Sequence, residues 1–341
     1  MNVRRVGERG LIQRIREARH GVGDPGVIMG IGDDTAVLAL GPGAALLATT
    51  DLVLEDVHFR RASASPRDVG WKAVAVNLSD IAAMGGRPRW ALVGLAIPAS
   101  TEVEEVEAFY EGMREAAAPH GVAIVGGDTS ESPGGWFVSV TLLGEHTGTP
   151  RLRSAARPGD VVAITGTLGR SAAGLAVLES GAERARAAGI DDAALVECAR
   201  AHLRPTARVA EGRWLGEATG VHAMIDTSDG IATDLGHICR ESGVGARVQV
   251  DCLPVAEAAQ QAARALARDP IDWAAAGGED YELLLTCDPA AIGALAAGLR
   301  AATGTTLTVI GEIEGSGTGI IWVGPEGQSV EIRPGYEHFS G

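Results

Sequence analysis

The sequence has almost no lysine: Lys72 is the single lysine among 341 residues. A Walker-type phosphate loop and the protein-kinase signature each need a lysine inside a defined motif, and neither motif surrounds Lys72. Any nucleotide-binding site in this chain must therefore be of a different type. Cysteine is also sparse, and its four residues stand far apart, at Cys198, Cys239, Cys252 and Cys287. This spacing matches neither a zinc site nor a disulfide framework, so we expect reduced thiols in a cytoplasmic protein.

Long hydrophobic runs are absent too. The longest apolar stretches, such as residues 91–99, fall well short of the roughly 18 residues that a membrane span needs. Residues 1–20 contain arginines but no apolar segment typical of a signal peptide. Basic residues are the minority, 29 against 44 acidic residues, and the formal net charge is −15. We therefore expect neither a membrane nor nucleic acid as a partner, and an anionic substrate would need cations to bridge it to the protein.

Apolar segments with helix and strand spacing alternate along the chain, which predicts a mixed α/β (α+β) fold. A segment rich in Gly, Pro, Arg and Ser at residues 147–160 interrupts this pattern, which restarts at Val161. The length also favours two domains, at roughly 100–200 residues per domain. We place them at residues 1–150 and 151–341. Residues 3–20 have the spacing of a short amphipathic helix.

Five short elements carry acidic side chains beside glycine or hydroxyl residues: GIGDD (30–34), TTD (49–51), NLSD (77–80), GGDTS (126–130) and DTSDG (226–230). Four are expected at strand ends, and NLSD in a helix. Carboxylate and hydroxyl oxygens are the ligands that Mg²⁺ prefers. The carboxylates suit several Mg²⁺ ions holding a polyphosphate rather than one ion; they are Asp33, Asp34, Asp51, Asp80, Asp128, Asp226 and Asp229. Each element alone is equally consistent with turn residues or helix N-caps, as for Asp226 and Asp229 before the helix that follows Gly230.

Three further features leave a structural and a functional interpretation open. One arc of the helix around Lys72, at about 100° per residue, carries its polar side chains, Lys72, Asn77, Ser79 and Asp80. This arc is either a solvated face or a face from which Asp80 reaches a metal. The loop 166–174 (GTLGRSAAG) is similar to a phosphate cradle at a helix N-terminus, although tight helix–strand packing explains it better. Arg151 and Arg153 are either solvated or meet a nucleotide phosphate.

Taken in order, the motifs resemble those of the thiamine-monophosphate kinase family, in the superfamily of aminoimidazole ribonucleotide synthetase and selenophosphate synthetase. The matching segments cover nearly the whole chain: GIGDDTAVL (30–38), TTDLVLEDVHF (49–59), KAVAVNLSDIAAMG (72–85), GGDTS (126–130), LRS (152–154), HLRP (202–205), DTSDGIATDLGHI (226–238), GGEDYELL (277–284) and GYEHF (335–339). Each motif is weak alone, and the set is specific. The resemblance implies an N-terminal domain that binds ATP and Mg²⁺ and dimerises. It also implies a C-terminal α+β domain of the synthetase type that completes the nucleotide and substrate site.

The resemblance further implies ATP-dependent phosphorylation of thiamine monophosphate to thiamine diphosphate, the last step of thiamine diphosphate biosynthesis, by a cytoplasmic homodimer with several Mg²⁺ ions. By motif position, the implied metal ligands are Asp34, Thr49, Thr50, Asp51, Asp80, Asp128, Asp226 and Asp229. The implied ATP contacts are Gly127, Asp128, Arg153 and Ser228, with Tyr110 as a candidate for stacking on adenine or for the core. The implied thiamine contacts are His58, Glu279 and Tyr336. Outside the family, these last three are typical of a surface histidine, a turn residue and a packing aromatic.

The residues agree with this chemistry. The acceptor is a phosphate monoester with a second pKa near 6, so its oxygen is mostly ionised at pH 7 and needs no strong base. Cation clamping and in-line positioning should then dominate, with direct transfer and no phosphoenzyme.

Three alternatives remain. The first is a sister synthetase of the superfamily, although the absence of cysteine before Cys198 argues against selenophosphate synthetase. The second is a two-metal phosphatase, which would release phosphate without ATP. The third is a non-catalytic module that binds ATP and Mg²⁺ without turnover.

Overall fold

The computed structural model describes residues 14, 26–29, 37–38, 40–315, 317 and 319–336. The chain divides into two compact units, Met1–Ile81 with Gly86–Thr149, and Ala82–Gly85 with Pro150–Gly341. In the described ranges, no helix is both long and apolar enough to cross a bilayer. Except for Arg14, the helix predicted at residues 3–20 lies outside the described residues, as do Asp33 and Asp34.

The first unit is built on a four-stranded sheet. A short antiparallel pair, β1 (Val27–Met29) and β2 (Val37–Leu38), precedes it. The sheet has the spatial order β3-β6-β4-β5, and its strands are β3 (Ala44–Leu54), β4 (Arg87–Ile97), β5 (Ala123–Glu131) and β6 (Phe137–Thr147). Strand β6 is antiparallel to β3 and β4, whereas β4 and β5 are parallel. Buried residues alternate with more exposed ones along β6, the pattern of a sheet with one covered face.

Helices α1 (Pro66–Ala83) and α2 (Val103–Ala117) cover that face. The two helices pack at backbone distance, because a Cβ on Gly70 would overlap the carbonyl oxygen of Phe109. A reciprocal capping box between Glu102 and Glu105 begins α2. The side of the sheet that these helices cover is called the helix face below, and the other side the outer face.

The second unit has a six-stranded sheet of order β12-β9-β11-β7-β10-β8. Its strands are β7 (Val161–Thr165), β8 (Val221–Asp226), β9 (Gly245–Gln249), β10 (Leu283–Cys287), β11 (Leu307–Glu314) and β12 (Ile320–Val323). All neighbours are antiparallel except β12 and β9. The central strands β7 and β10 are buried almost throughout, which accounts for their unbroken apolar runs.

Eight α-helices accompany this sheet in the described part of the second unit. They are α3 (Arg170–Ser180), α4 (Ala182–Ala187), α5 (Asp192–Leu203), α6 (Val209–Glu217), α7 (Ile231–Ser242), α8 (Glu257–Leu266), α9 (Pro270–Ala276) and α10 (Ile292–Thr303). One apolar core joins α7 to the sheet, through residues such as Ile164, Ile225 and Leu235. A second core joins α3, α5 and α8 through small residues such as Ala173 and Ala259. The predicted mixed α/β class is confirmed.

One local prediction is wrong, and one alternative that the sequence left open is excluded. The TTD and GGDTS elements do not end strands: β3 continues to Leu54 and β5 to Glu131, so Asp51 and Asp128 lie inside strands. The polar arc of α1 is not a solvated face either, since Lys72, Asn77 and Ser79 are all buried. Pairing with a neighbouring strand, and burial of a polar arc, depend on distant residues that a local pattern does not contain.

Candidate active site

In the first unit, two carboxylates meet on the helix face of the sheet. Asp51 lies in β3 and Asp80 in α1, and Thr49 donates a hydrogen bond from its Oγ1 to Asp80. Burial, followed by the charge of Asp80 and a hydrogen bond with it, raises the pKa of Asp51 from 3.8 to about 7. The pair therefore favours a shared proton, or a cation in its place, over two bare negative charges.

Thr50 and Asp128 lie on the outer face instead. Neighbouring residues of a strand point to opposite faces, and Thr50 Oγ1 accepts a hydrogen bond from Thr141 at 3.1 Å on that face. Asp128 pairs with Gly94 and accepts a hydrogen bond from Ser130 at 3.3 Å. Its neighbour Thr129 points the other way, where it contacts Tyr110 of α2.

The predicted metal ligands of the first unit are therefore not one cluster within the chain. Strands β3 and β5 form opposite edges of the sheet, three strand spacings or about 14 Å apart. Asp128 and Asp51 therefore lie at opposite edges of the sheet and on its opposite faces. Gly127 precedes it at φ 151°, where a Cβ would overlap the carbonyl of Val93, so this close approach of β5 to β4 requires glycine.

The contacts of two other candidates of the first unit, His58 and Tyr110, are well defined. His58 is half-buried, and its Nδ1 accepts the backbone N–H of Leu54 at 3.1 Å, which leaves the proton of the neutral ring on Nε2. The buried ammonium of Lys72 lies 3.4 Å from the carbonyl oxygen of His58. Tyr110 is a core residue at 5% exposure with its ring edge-on to Phe109, so its ring is not available to stack on adenine.

In the second unit, the turn between β8 and α7 carries the DTSDG motif. Asp226 is buried at the end of β8, and Asp229 is half-buried three residues later. The N-cap of α7 is Gly230, with no side-chain cap, so the interpretation of Asp226 and Asp229 as caps is wrong. Asp234, in the first turn of α7, accepts the backbone N–H of Asp229 at 3.2 Å.

Asp234 is a member of this acidic group that the sequence analysis missed. It is 2% exposed, and burial together with the charges of Asp226 and Asp229 raises its pKa well above 3.8. Its spacing within the same motif, eight residues after Asp226, was the available signal. What the pattern lacked was any indication that this helix position is buried.

Two distant segments are hydrogen-bonded to the same turn. The N–H groups of Glu279 and Tyr281 donate to the carbonyls of Ser228 and Thr227 at 2.8 and 2.9 Å. The N–H of Tyr336 donates to the carbonyl of Asp229 at 3.0 Å. The turn thereby brings together Ser228, Glu279 and Tyr336, which the sequence analysis named for ATP and thiamine.

The backbone at these junctions is tightly constrained. Glu279 has φ 66°, in the left-handed region, which is unusual for a residue with a side chain. A Cβ on Gly335 would overlap the carbonyl oxygen of Asp229, so the segment that carries Tyr336 approaches the turn as only glycine permits. Half of the Tyr336 surface is exposed, which leaves its ring accessible.

The loop 166–174 is not a phosphate cradle. The carboxylate of Asp280 already occupies the N-terminus of α3, where it accepts the N–H groups of Gly169 at 2.6 Å and Ser171 at 3.1 Å. Burial raises the pKa of Asp280 to about 7 despite these two hydrogen bonds. The chain's own carboxylate therefore takes the place of an anionic ligand.

Glu282, two residues further on, anchors the same loop to the sheet. It is buried and accepts hydrogen bonds from Thr165 at 2.7 Å and from Arg208 at 2.6 and 2.5 Å. The N–H of Glu282 also donates to Thr227 Oγ1 at 3.0 Å. This buried ion pair fixes the GGEDYE segment beside the DTSDG turn.

The two arginines of the interdomain segment differ in role. Arg151 donates to the carbonyls of Gly216, Ala218 and Val221, all at 2.8 Å, so it closes the end of α6 and is not a free cation for phosphate. Arg153 is exposed, and its charge contributes to lowering the pKa of His237, after burial and Arg240. Asp229 of the DTSDG turn also acts on His237, in the opposite direction.

Within the described ranges, no three His, Cys, Asp or Glu side chains are grouped closely enough to hold a metal by themselves. Mg²⁺ usually binds through one or two carboxylates and completes its shell with water and substrate phosphate. The pair Asp51–Asp80 with Thr49, and the turn with Asp226 and Asp229, are donor sets of that kind.

Comparison with known proteins identifies the family. The model of the AIR synthase related protein N-terminal domain matches residues 32–146, and that of the C-terminal domain matches residues 157–324. The thiamine-monophosphate kinase of Salmonella typhimurium is 38% identical over 299 residues, which cover 86% of each chain. This chain belongs to the thiamine-monophosphate kinase family. It is an enzyme of that family, and the predicted recognition is confirmed.

Solved structures agree. The crystal structure of thiamine-monophosphate kinase from Stenotrophomonas maltophilia K279a is 35% identical with a TM-score of 0.78, and the match covers 94% of this chain and 95% of that one. The structure of AaThiL complexed with AMPPCP and TMP is 34% identical with a TM-score of 0.74 and covers 99% of both chains. The thiamine-monophosphate kinase fold therefore extends over both units.

Proposed function

We propose that this chain transfers the γ-phosphoryl group of ATP to thiamine monophosphate and forms thiamine diphosphate and ADP. The observation that carries the proposal is the DTSDG turn, to which Glu279 and Tyr336 are hydrogen-bonded from two distant segments. The turn carries two carboxylates that suit a metal, Asp226 and Asp229. Next to them it brings the anionic Glu279 and the aromatic ring of Tyr336, two groups that suit a cationic thiazolium. A family member solved with an ATP analogue and TMP supports the same substrates.

Mg²⁺ fits the residues present. Asp51, Asp80 and Thr49 offer hard oxygens around one position, where burial and, second to it, the charge of Asp80 raise the pKa of Asp51. Asp226 and Asp229 offer a second set, with Asp128 and Thr50 as further ligands on the outer face. Asp34 lies outside the described residues, so its role stays a prediction. Bound Mg²⁺ supplies neutralisation of the phosphate charge during transfer.

The transfer itself needs little from the side chains beyond alignment. The acceptor phosphate is mostly ionised at pH 7, so one of its oxygens attacks the γ-phosphorus directly. A bond forms between that oxygen and phosphorus, the bond to the β,γ-bridging oxygen breaks, and ADP leaves with the released electron pair. We infer in-line transfer with no phosphoenzyme, since the motif residues are metal-binding carboxylates and hydroxyls rather than a nucleophile with an adjacent base.

The remaining candidates take positions around the substrates. Glu279 and Tyr336 hold the cationic thiamine moiety, and His58 is assigned to the same ligand. Ser228 and Arg153 are assigned to ATP, together with Gly127 and Asp128. Tyr110 is withdrawn because its ring is in the core.

We also propose a homodimer formed through the outer face of the first unit. Three large apolar side chains are exposed there, Leu46 at 51%, Leu52 at 59% and Phe137 at 45%. When large apolar side chains are exposed on a sheet face of a single chain, that face is typically covered by another molecule. A second copy of the chain is the occupant that the family resemblance implies.

A product assay tests the activity. The purified protein is incubated with Mg²⁺, ATP and thiamine monophosphate, and thiamine diphosphate is separated by chromatography. We expect product only in the complete mixture, and a loss of at least about 100-fold for Asp226→Asn, in line with removing a charge that acts on the transferred phosphoryl group. Asp251→Asn, at an exposed site, is the matched control. Phosphate release without ATP would instead establish the phosphatase, and ATP binding without turnover the non-catalytic module.

A further inference from the structure

The carboxylate of Glu279 contacts a buried histidine. The Nδ1 of His202, near the end of α5, lies 3.1 Å from Oε2 of Glu279. Glu279 and Asp280 line a groove of about 800 Å³ together with Arg170, and His202 is not among the lining residues. His202 is only 8% exposed, so it contacts the carboxylate from within the protein.

A second contact fixes the histidine ring. Ser171 Oγ, fully buried in the first turn of α3, lies 3.1 Å from the same Nδ1. The backbone N–H of Ser171 donates to Asp280, the residue after Glu279. Ser171 and His202 thus link two consecutive loop residues to the facing ends of α3 and α5.

The two helices are pressed together at this point. A Cβ on Gly174 of α3 would overlap the carbonyl oxygen of Cys198 and lie 2.9 Å from the Cβ of His202. The backbone that carries His202 therefore has no room to shift towards α3, and the ring is in a fixed position relative to Ser171.

The chemistry of the contact determines which nitrogen carries the hydrogen. An ionised carboxylate only accepts hydrogen bonds, so Nδ1 must carry a hydrogen while Glu279 is charged. A charged acceptor makes this bond stronger than the one to the neutral serine hydroxyl. The left-handed backbone of Glu279 gives the side chain a direction that a relaxed loop would not keep, and the histidine holds the carboxylate in that direction.

We propose that His202, held by Ser171, is a positioning residue that orients the Glu279 carboxylate towards the cationic thiamine moiety. The inference rests on the proposed function, because it needs Glu279 to contact that substrate. It assigns His202 no contact with substrate and no part in phosphoryl transfer.

The test separates substrate binding from folding and from chemistry. His202→Leu removes the N–H, and we expect the KM for thiamine monophosphate to rise about tenfold, as for the loss of one hydrogen bond to a charged group. The KM for ATP should change less than about twofold. His202→Asn keeps an amide N–H close to the position of Nδ1 and should restore the KM to within about threefold of wild type.

Two further variants and one inhibitor make the test specific for the contact between His202 and Glu279. Glu279→Gln should raise the same KM, and adding His202→Leu to it should raise it no further, because the two residues act as a unit. Cys198→Ala, one helical turn before His202 and also buried, is the packing control and should lower thermal stability without changing the KM. A phosphorylated neutral thiazole, tested as a competitive inhibitor, should bind wild type and His202→Leu equally.

The outcomes distinguish this inference from the proposed function. A wild-type protein that makes no thiamine diphosphate overturns the proposed function and the inference together. An active wild type whose thiamine-monophosphate KM is unchanged in His202→Leu, or whose His202→Asn variant shows no recovery, overturns the inference alone. Additive effects of His202→Leu and Glu279→Gln also overturn it. If His202→Leu does not fold, the KM values of His202→Asn, Ser171→Ala and Glu279→Gln for thiamine monophosphate decide the same question. Equal KM values in all three variants would overturn the inference.

Discussion

At the scale of single residues, the burial of Asp51 beside Asp80 makes the stability of the protein depend on pH. The pKa of Asp51 is about 7 in the folded protein against 3.8 for the free side chain. A raised carboxyl pKa means that the unfolded chain loses its proton first, so the metal-free protein loses stability as the pH rises from about 4 to about 7. Above that range the loss is complete and constant.

Asp51→Asn should remove this dependence. We expect the variant to match wild type near pH 4 and to exceed it in free energy of unfolding by pH 8, with the gap opening between those values. Urea unfolding in EDTA across this pH range measures it, with Asp251→Asn as control. Added Mg²⁺ should reverse the order at pH 8, because the cation stabilises only the protein that keeps both carboxylates. A gap that is the same at every pH would contradict the account.

The resemblance to the family named more of the candidate site than the residues alone would have done. Asp226, Ser228, Glu279 and Tyr336 were named from the sequence, and the structure brings their segments to one turn. Their roles stay predictions. Asp234, His202 and Glu282 were missed because their importance lies in burial and in partners over 30 residues away, apart from Asp234.

At the scale of secondary-structure elements, strand ends were the weak point of the sequence analysis. Glycine and aspartate next to an apolar run normally end a strand. In β3 and β5 the strand continues through them, because a neighbouring strand pairs with the backbone of each: Asp51 lies opposite Val140, and Asp128 opposite Gly94. Helix α1 illustrates the same limit, since its polar arc is buried by tertiary packing.

The junction of the C-terminal segment with the DTSDG turn gives a prediction at this scale. In Gly335→Ala the added Cβ would overlap the carbonyl oxygen of Asp229 and push Tyr336 away from the turn. We expect the KM for thiamine monophosphate to rise by about tenfold, in the range of a lost aromatic–cation contact. Thermal stability should change little, because Gly335 and Tyr336 belong to neither apolar core of the second unit.

Gly293→Ala is the matched control for this substitution. A Cβ at Gly293 meets nothing within 4 Å, and the residue lies inside α10. Alanine there should leave the KM unchanged and raise the melting temperature slightly, since alanine is the better helix former. Steady-state kinetics and thermal unfolding of both variants provide the comparison. Equal KM values for Gly335→Ala and Gly293→Ala would show that the junction does not position Tyr336.

At the scale of the whole molecule, the uncovered outer face of the first unit predicts self-association. Leu52→Lys together with Phe137→Glu places charges where the proposed partner copy packs, and burying them is costly. We expect sedimentation to give the mass of a single chain for this variant and twice that mass for wild type. Leu175→Lys, an exposed apolar site in the second unit, is the control and should keep the wild-type mass. A single-chain mass for wild type would rule out the homodimer.

Phosphorus NMR of the wild-type protein with Mg²⁺, ATP and thiamine monophosphate, followed over time, tests the proposed phosphoryl transfer directly. We expect thiamine diphosphate and ADP to appear in equal amounts, with no free phosphate and no signal from a phosphorylated protein. Free phosphate in place of thiamine diphosphate, or ATP that stays intact beside unchanged thiamine monophosphate in folded protein, would contradict it.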